Sequence, residues 1–413
     1  MSVPAPPPPS AGPLGADARL PVLDVLRGVA LLGIFIMNMP SFGDSLFAQH
    51  PIDGVTLLRD LLIAGKFNAM FALLFGIGFA LQLDRLEAAR PDHGARIYLR
   101  RLLVLMGLGL LHASVFWSGD VLFVYSILGL GLLLLRRAPD RVLVGLVVAG
   151  VLFPAVAVYL RAALLPMDTE NLAVLEYEAL EASNRLAYGS GSFGDTAREN
   201  GRMLAWAYSS PLGLWSMLMF YVQMGTPLWL GYLIGRRGWV TRLPTLVEPM
   251  RRWRALLLAT GASATLAYLS LGIDSQEPTP LSALLNELQT VGRLGLMFGY
   301  ALSVALLVQA PGWAARLAPL SATGRMPLTN YLLQTVLATS IFYGWGGGWW
   351  GRADTGTQIA LALALFCGIQ VPFSMWWLSR HERGPLEAAW RRLTYGRPVA
   401  RQAPGSAPTP PPR

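Results

Sequence analysis

Cysteine, lysine and charge are all scarce in this 413-residue chain. The single cysteine, Cys367, excludes an intrachain disulfide and any multi-thiolate metal site. No metal centre is expected. Charged residues supply 14% of the positions, whereas soluble domains carry roughly 25%. The recurrent nucleotide and zinc motifs are missing too: there is no Walker A sequence, no HExxH and no GxGxxG following a strand. Lysine occurs once, at Lys66, so the basic residues are otherwise all arginine.

What the chain does have is apolar residues, 54% from the set AVILMFWYC. They fall in runs of twenty or so, the length of helix that crosses a hydrocarbon core about 30 Å thick. The sequence therefore predicts an all-α, polytopic membrane bundle of about ten spans. These read as residues 22–42, 60–83, 99–117, 120–135, 142–165, 212–235, 254–273, 285–309, 326–343 and 357–379. The first run is interrupted by Asp24 and Arg27 and has no small-residue cleavage site after it, so it reads as a span and not as a secretory signal.

Orientation follows from arginine, which accumulates in cytoplasmic loops. Arg85 to Arg101, Arg136 to Arg141, Arg236 to Arg254 and the segment after Arg380 all fall on one side if both termini are cytoplasmic. The net charge of +9 is thus a topology signal facing anionic lipid and not a nucleic-acid footprint. Residues 166–205 carry seven carboxylates against three arginines and read as an exoplasmic cap. The expected organisation is a Pro-rich disordered tail (1–21), a five-span region (22–165), the cap, a second five-span region (206–397) and a disordered tail (398–413). The glycines of LFGIGFA read as helix-packing points.

Ionisable groups inside a bilayer are costly, which makes them functional candidates. Asp24, Arg27 and Asn38 share one face of the first span, and the first two are spaced to pair. His112 is the only histidine in a span, and histidine is the side-chain type suited to a general base near neutral pH; a hydrogen-bonded structural histidine is the other reading. In a regular antiparallel hairpin its neighbour is Tyr125, with Asp120 about 9 Å higher and better placed as a helix N-cap. Lys66 and Arg293 bind an anion or snorkel to the surface. Arg325 stands at a helix start that could hold phosphate, with Asn330 and Gln334 on one face beyond it.

Five stretches resemble the bacterial YeiB family: LDVLRGVALLGIFIMNMPSF from Leu23, GKFNAMFALLFGIGFALQLDR from Gly65, LLHASVFWSGDVLFVYSILG from Leu110, GRMPLTNYLLQTVLATSIFYGWG from Gly324 and GPLEAAWRRLTYGR from Gly384. The family's C-terminal domain is catalogued as of unknown function. The LDxLRG opening is also similar to that of the transmembrane acyltransferase superfamily, which includes acyltransferase-3 enzymes and heparan glucosaminide acetyltransferases. That resemblance implies acyl transfer from coenzyme A to a carbohydrate or other envelope acceptor at the far face. It would put Asp24, Arg27, Arg325 and Asn330 near the phosphates or pantetheine of the acyl-CoA, Asn38 at the oxyanion and His112 at the acceptor hydroxyl. His50, in the loop after the first span, is the second candidate base. The competing readings are a small-molecule transporter, with Asp24, Arg27, Lys66 and His112 along its path, and a membrane protein without turnover. The expected location is the bacterial cytoplasmic membrane.

Overall fold

The structure, a computed structural model, describes residues 20–45, 53–89, 91, 93–165, 169–271 and 278–395. Apart from residues 20 and 21, the two tails expected to be disordered lie outside the described residues. Among the described residues the chain forms sixteen α-helices and no strand. The first half comprises α1 (Pro21–Gly43), α2 (Gly54–Leu62), α3 (Lys66–Ala89), α4 (Gly94–Val115), α5 (Leu122–Leu135) and α6 (Asp140–Leu164). Next come α7 (Thr169–Gly189) and α8 (Phe193–Ser209), so the expected cap is a helical pair. The second half comprises α9 (Pro211–Arg236), α10 (Val247–Leu271), α11 (Pro280–Gln309), α12 (Trp313–Arg325), α13 (Pro327–Phe342), α14 (Thr355–Leu365), α15 (Val371–Leu378) and α16 (Pro385–Tyr395). A π-turn over Phe366–Gln370 joins α14 to α15 as one span.

Eight helical stretches are long and apolar enough to cross a membrane. Two of the ten expected spans are shorter: α5 has 14 residues and α13 has 16. Both turn more than half of their residues into the bundle, eight in α5 and nine in α13, so other helices cover most of each. The chain is a multi-pass membrane protein. Its outward faces carry apolar side chains that fit lipid, among them Leu110 and Leu111 of α4 and Val148, Leu152 and Val156 of α6.

Local chemistry sets the helix ends. Asp53 accepts from Thr56 N at 2.7 Å and Asp354 from Thr357 N at 2.7 Å, and these bonds hold both carboxyls below their ordinary range. Ser192 with Asp195 opens α8, and Thr279 with Ser282 opens α11, each as a reciprocal capping pair. Close crossings fall at glycine. A Cβ on Gly76 would collide with Leu228 O of α9, and one on Gly231 with Leu73 O of α3, so the two helices meet backbone to backbone. Gly28 of α1 and Gly324 of α12 make a second such crossing: a Cβ on Gly324 would collide with Asp24 O. That contact carries Asp24 and Arg27 to the start of α13.

Candidate active site

A pocket of about 370 Å³ lies among the start of α1, the inner face of α3, the first half of α4, and the starts of α5 and α13, with α16 along one side. Six arginines line it, Arg27, Arg85, Arg101, Arg325, Arg383 and Arg391, against three carboxylates, Asp24, Glu382 and Glu387. All three carboxylates are engaged. Asp24 accepts from Arg27 Nη1 at 2.9 Å, and Glu382 pairs with Arg383 at 3.3 Å. Glu387 reaches across from α16 to the start of α13, accepting from Leu328 N at 2.8 Å, Thr329 N at 3.0 Å and Thr329 Oγ1 at 2.6 Å. Burial pushes the Glu387 carboxyl above its ordinary range, while the Thr329 and Leu328 bonds pull it down. Arg85, Arg101 and Arg391 form no ion pair among the described residues, which leaves this side of the pocket with positive charge to offer.

Away from the arginines the lining is apolar and aromatic. Phe71 and Phe75 of α3 and Leu122 and Tyr125 of α5 form it, with Tyr331 of α13. Tyr125 stacks on Phe75 with centroids 5.3 Å apart, and its hydroxyl donates to Asn68 O at 3.4 Å. The Tyr331 hydroxyl accepts from Val121 N at 3.2 Å, and its ring lies 5.6 Å from that of His112.

His112 Nδ1 lies 2.7 Å from Asp120 Oδ2, with both residues buried. This corrects two expectations: Asp120 is the partner of His112, and Tyr125 is not. The hairpin is irregular. Helix α4 stops at Val115, the chain is unwound until Leu122, and Gly109 leaves room for the returning backbone, since a Cβ there would collide with Phe123 N and lie 2.9 Å from Asp120 Oδ1. Asp120 also serves as the expected cap, accepting from Phe123 N at 2.8 Å through Oδ1. In the tautomer whose Nδ1 donates to Asp120 Oδ2, Nε2 carries the lone pair. Nε2 is buried and has no hydrogen-bond partner among the described residues.

Of the other expected residues, Asp24, Arg27 and Arg325 line the pocket, whereas Asn38, Asn330 and Gln334 do not. Asn38 is buried about 16 Å farther along α1 than Arg27 at 1.5 Å per residue. Asn330 donates to Thr323 O and Ser374 Oγ, and Gln334 to Leu31 O and Gln370 Oε1, so both tie helices together. Lys66 and Arg293 are both buried inside the bundle and do not snorkel. His50 lies outside the described residues. Sequence reasoning misses Tyr331, Arg101, Glu387 and Trp390. Arg101 counts there only toward topology, and the other three sit inside the stretches that carry the resemblance without individual roles.

The family described as "Protein of unknown function (DUF418)" matches residues 234–397. The chain is 29% identical to the uncharacterized protein YxaH of Bacillus subtilis, over 95% of this chain and 99% of that protein. It is 30% identical to the uncharacterized protein YeiB of Escherichia coli, over 90% of this chain and 95% of that one. No solved structure matches.

Proposed function

We propose that this chain, which belongs to the YeiB family, is an acyltransferase of the bacterial cytoplasmic membrane that takes an acyl group from acyl-CoA and passes it to an envelope hydroxyl. The observation that carries the reading is an adjacency: a pocket lined by arginines and aromatic rings and, across the Tyr331 ring that lines it, a buried His112–Asp120 pair whose Nε2 has no partner among the described residues. Arginine suits phosphate because its planar fork binds two oxygens at once. The pantetheine and acyl chain would occupy the apolar interior, which puts the thioester carbonyl near Tyr331.

In the transfer, the acceptor oxygen bonds to the acyl carbon and the carbon–sulfur bond breaks. His112 Nε2 takes the hydroxyl proton as the oxygen attacks and returns it to the departing thiolate, while Asp120 holds the imidazolium. Tyr331 supplies the hydrogen bond to the developing oxyanion, the role expected of Asn38. Arg27 and Arg325 serve the donor phosphates together with Arg101.

The test is a binding and turnover pair on the purified, folded chain. Acyl-CoA should bind, and Arg101→Gln should weaken it by about tenfold or more, as loss of one charge-assisted hydrogen bond does. Mass spectrometry of envelope glycans and lipids from cells with and without the protein should differ by an acyl mass. A folded chain that binds no acyl-CoA would sink the proposal, and uptake of a solute without acylated product would point to a transporter.

A further inference from the structure

The opposite end of α3 holds two buried cations from distant points of the sequence. Lys66, the first residue of α3, is 3% exposed and Arg293, midway along α11, is 9% exposed. Gly65, with φ of +76°, lets the chain turn from α2 into α3 directly against Arg293, whose Cδ would be 3.1 Å from a Cβ at Gly65. Phe67 stacks on Tyr300, and the Tyr300 hydroxyl donates to Leu62 O at 3.1 Å, fastening α11 to both sides of that turn.

Neither cation has a carboxylate of its own among the described residues. Lys66 Nζ donates to the backbone oxygen of Asp60 at 2.5 Å, and the Asp60 carboxylate is bound by Arg59 at 2.8 Å. Arg293 makes no ion pair there, and its buried Nε has no hydrogen-bond partner among the same residues. A buried charge without its counter-charge is strongly destabilising, and an arginine in the bilayer zone is costly without one. The Asp60 carboxylate still attracts Lys66 more strongly than Arg293 repels it, so Arg293 is the cation with no carboxylate near it among the described residues.

We infer that Lys66 and Arg293 form an anion-binding site for a phosphate group, separate from the arginine-lined pocket. Neither residue lines that pocket. A phosphate there would accept from the guanidinium fork and from the ammonium, compensating both charges in one ligand. An anionic phospholipid and free inorganic phosphate share this chemistry, and the two sources separate experimentally.

The experiment compares wild type with Arg293→Met and Lys66→Met in thermal unfolding of the full chain. In detergent without phosphate, removing an uncompensated buried cation should raise Tm. In nanodiscs of phosphatidylglycerol the order should reverse, with wild type the more stable, while phosphatidylcholine nanodiscs containing no added phosphate should leave the detergent order. If inorganic phosphate in detergent reproduces the reversal at constant ionic strength, the ligand is the free ion; if only phosphatidylglycerol does, it is the lipid. Native mass spectrometry should show the bound anion retained about tenfold better by wild type, the effect of losing one charge-assisted hydrogen bond. Variants that are less stable than wild type by the same amount in every condition would overturn the site, as would a wild-type Tm that responds to neither phosphate nor phosphatidylglycerol.

Discussion

At the scale of single residues, the proposed chemistry rests on which nitrogen of His112 is committed. Asp120 occupies Nδ1, so Nε2 is the atom that can move a proton. His112→Ala should lower transfer per folded molecule by roughly 10² to 10⁴-fold, with acyl-CoA affinity retained, as loss of a general base does. Tyr331→Phe keeps the ring beside His112 and removes only the hydroxyl. Turnover should fall by about 10² to 10³-fold, the cost of one oxyanion donor, with acyl-CoA affinity unchanged in the same titration. A structural hydroxyl would instead lower Tm and leave turnover intact. His112 is legible in the sequence as the lone histidine in a span. Its bond to Asp120 is not, because an ideal hairpin sets them about 9 Å apart in height and the unwinding between Val115 and Leu122 has no marker stronger than Gly119 and Gly109.

At the scale of an element, α16 decides whether the pocket has a wall. Trp390 Nε1 donates to Arg101 O at 3.1 Å, the Arg101 guanidinium lies 3.6 Å from the Trp390 ring centroid, and Gln82 Nε2 donates to the Tyr395 hydroxyl at 3.3 Å. Glu387 anchors the other end of the helix. Glu387→Ala should cost about 1 to 3 kcal/mol by orphaning the donors of Leu328 and Thr329, read as a lowered Tm. Because burial raises this carboxyl in the folded chain, the fold holds the proton more tightly than the unfolded chain does. The stability linked to that proton is therefore full below the ordinary value of 4.5 and is lost as pH rises through the folded value. Glu387→Gln should flatten that part of the Tm against pH curve. In the sequence the segment after Arg380 counts only toward topology and the family resemblance, and no periodicity reveals that one of its carboxylates caps a helix 58 residues earlier.

At the scale of the molecule, the arginine distribution predicts that position 190 and position 245 lie on opposite sides of the membrane. In a Cys367→Ser background, cysteines placed there should be labelled from outside and inside respectively by an impermeant maleimide. Labelling of both from one side would refute the topology. Eight of the ten expected spans are helices long enough to cross, whereas α5 and α13 are shorter and turn more than half of their residues into the bundle. Hydropathy reads an apolar run in the same way whether lipid or protein covers it. The order of the elements has a consequence for synthesis. The wall formed by α16 follows α1, α3, α4 and α13 in the chain, so it is synthesised after them and the pocket cannot close until it has emerged. A ribosome that stalls before α16 emerges would leave an arginine-lined cleft open to anionic lipid, a state that cellular quality control could recognise by its charge.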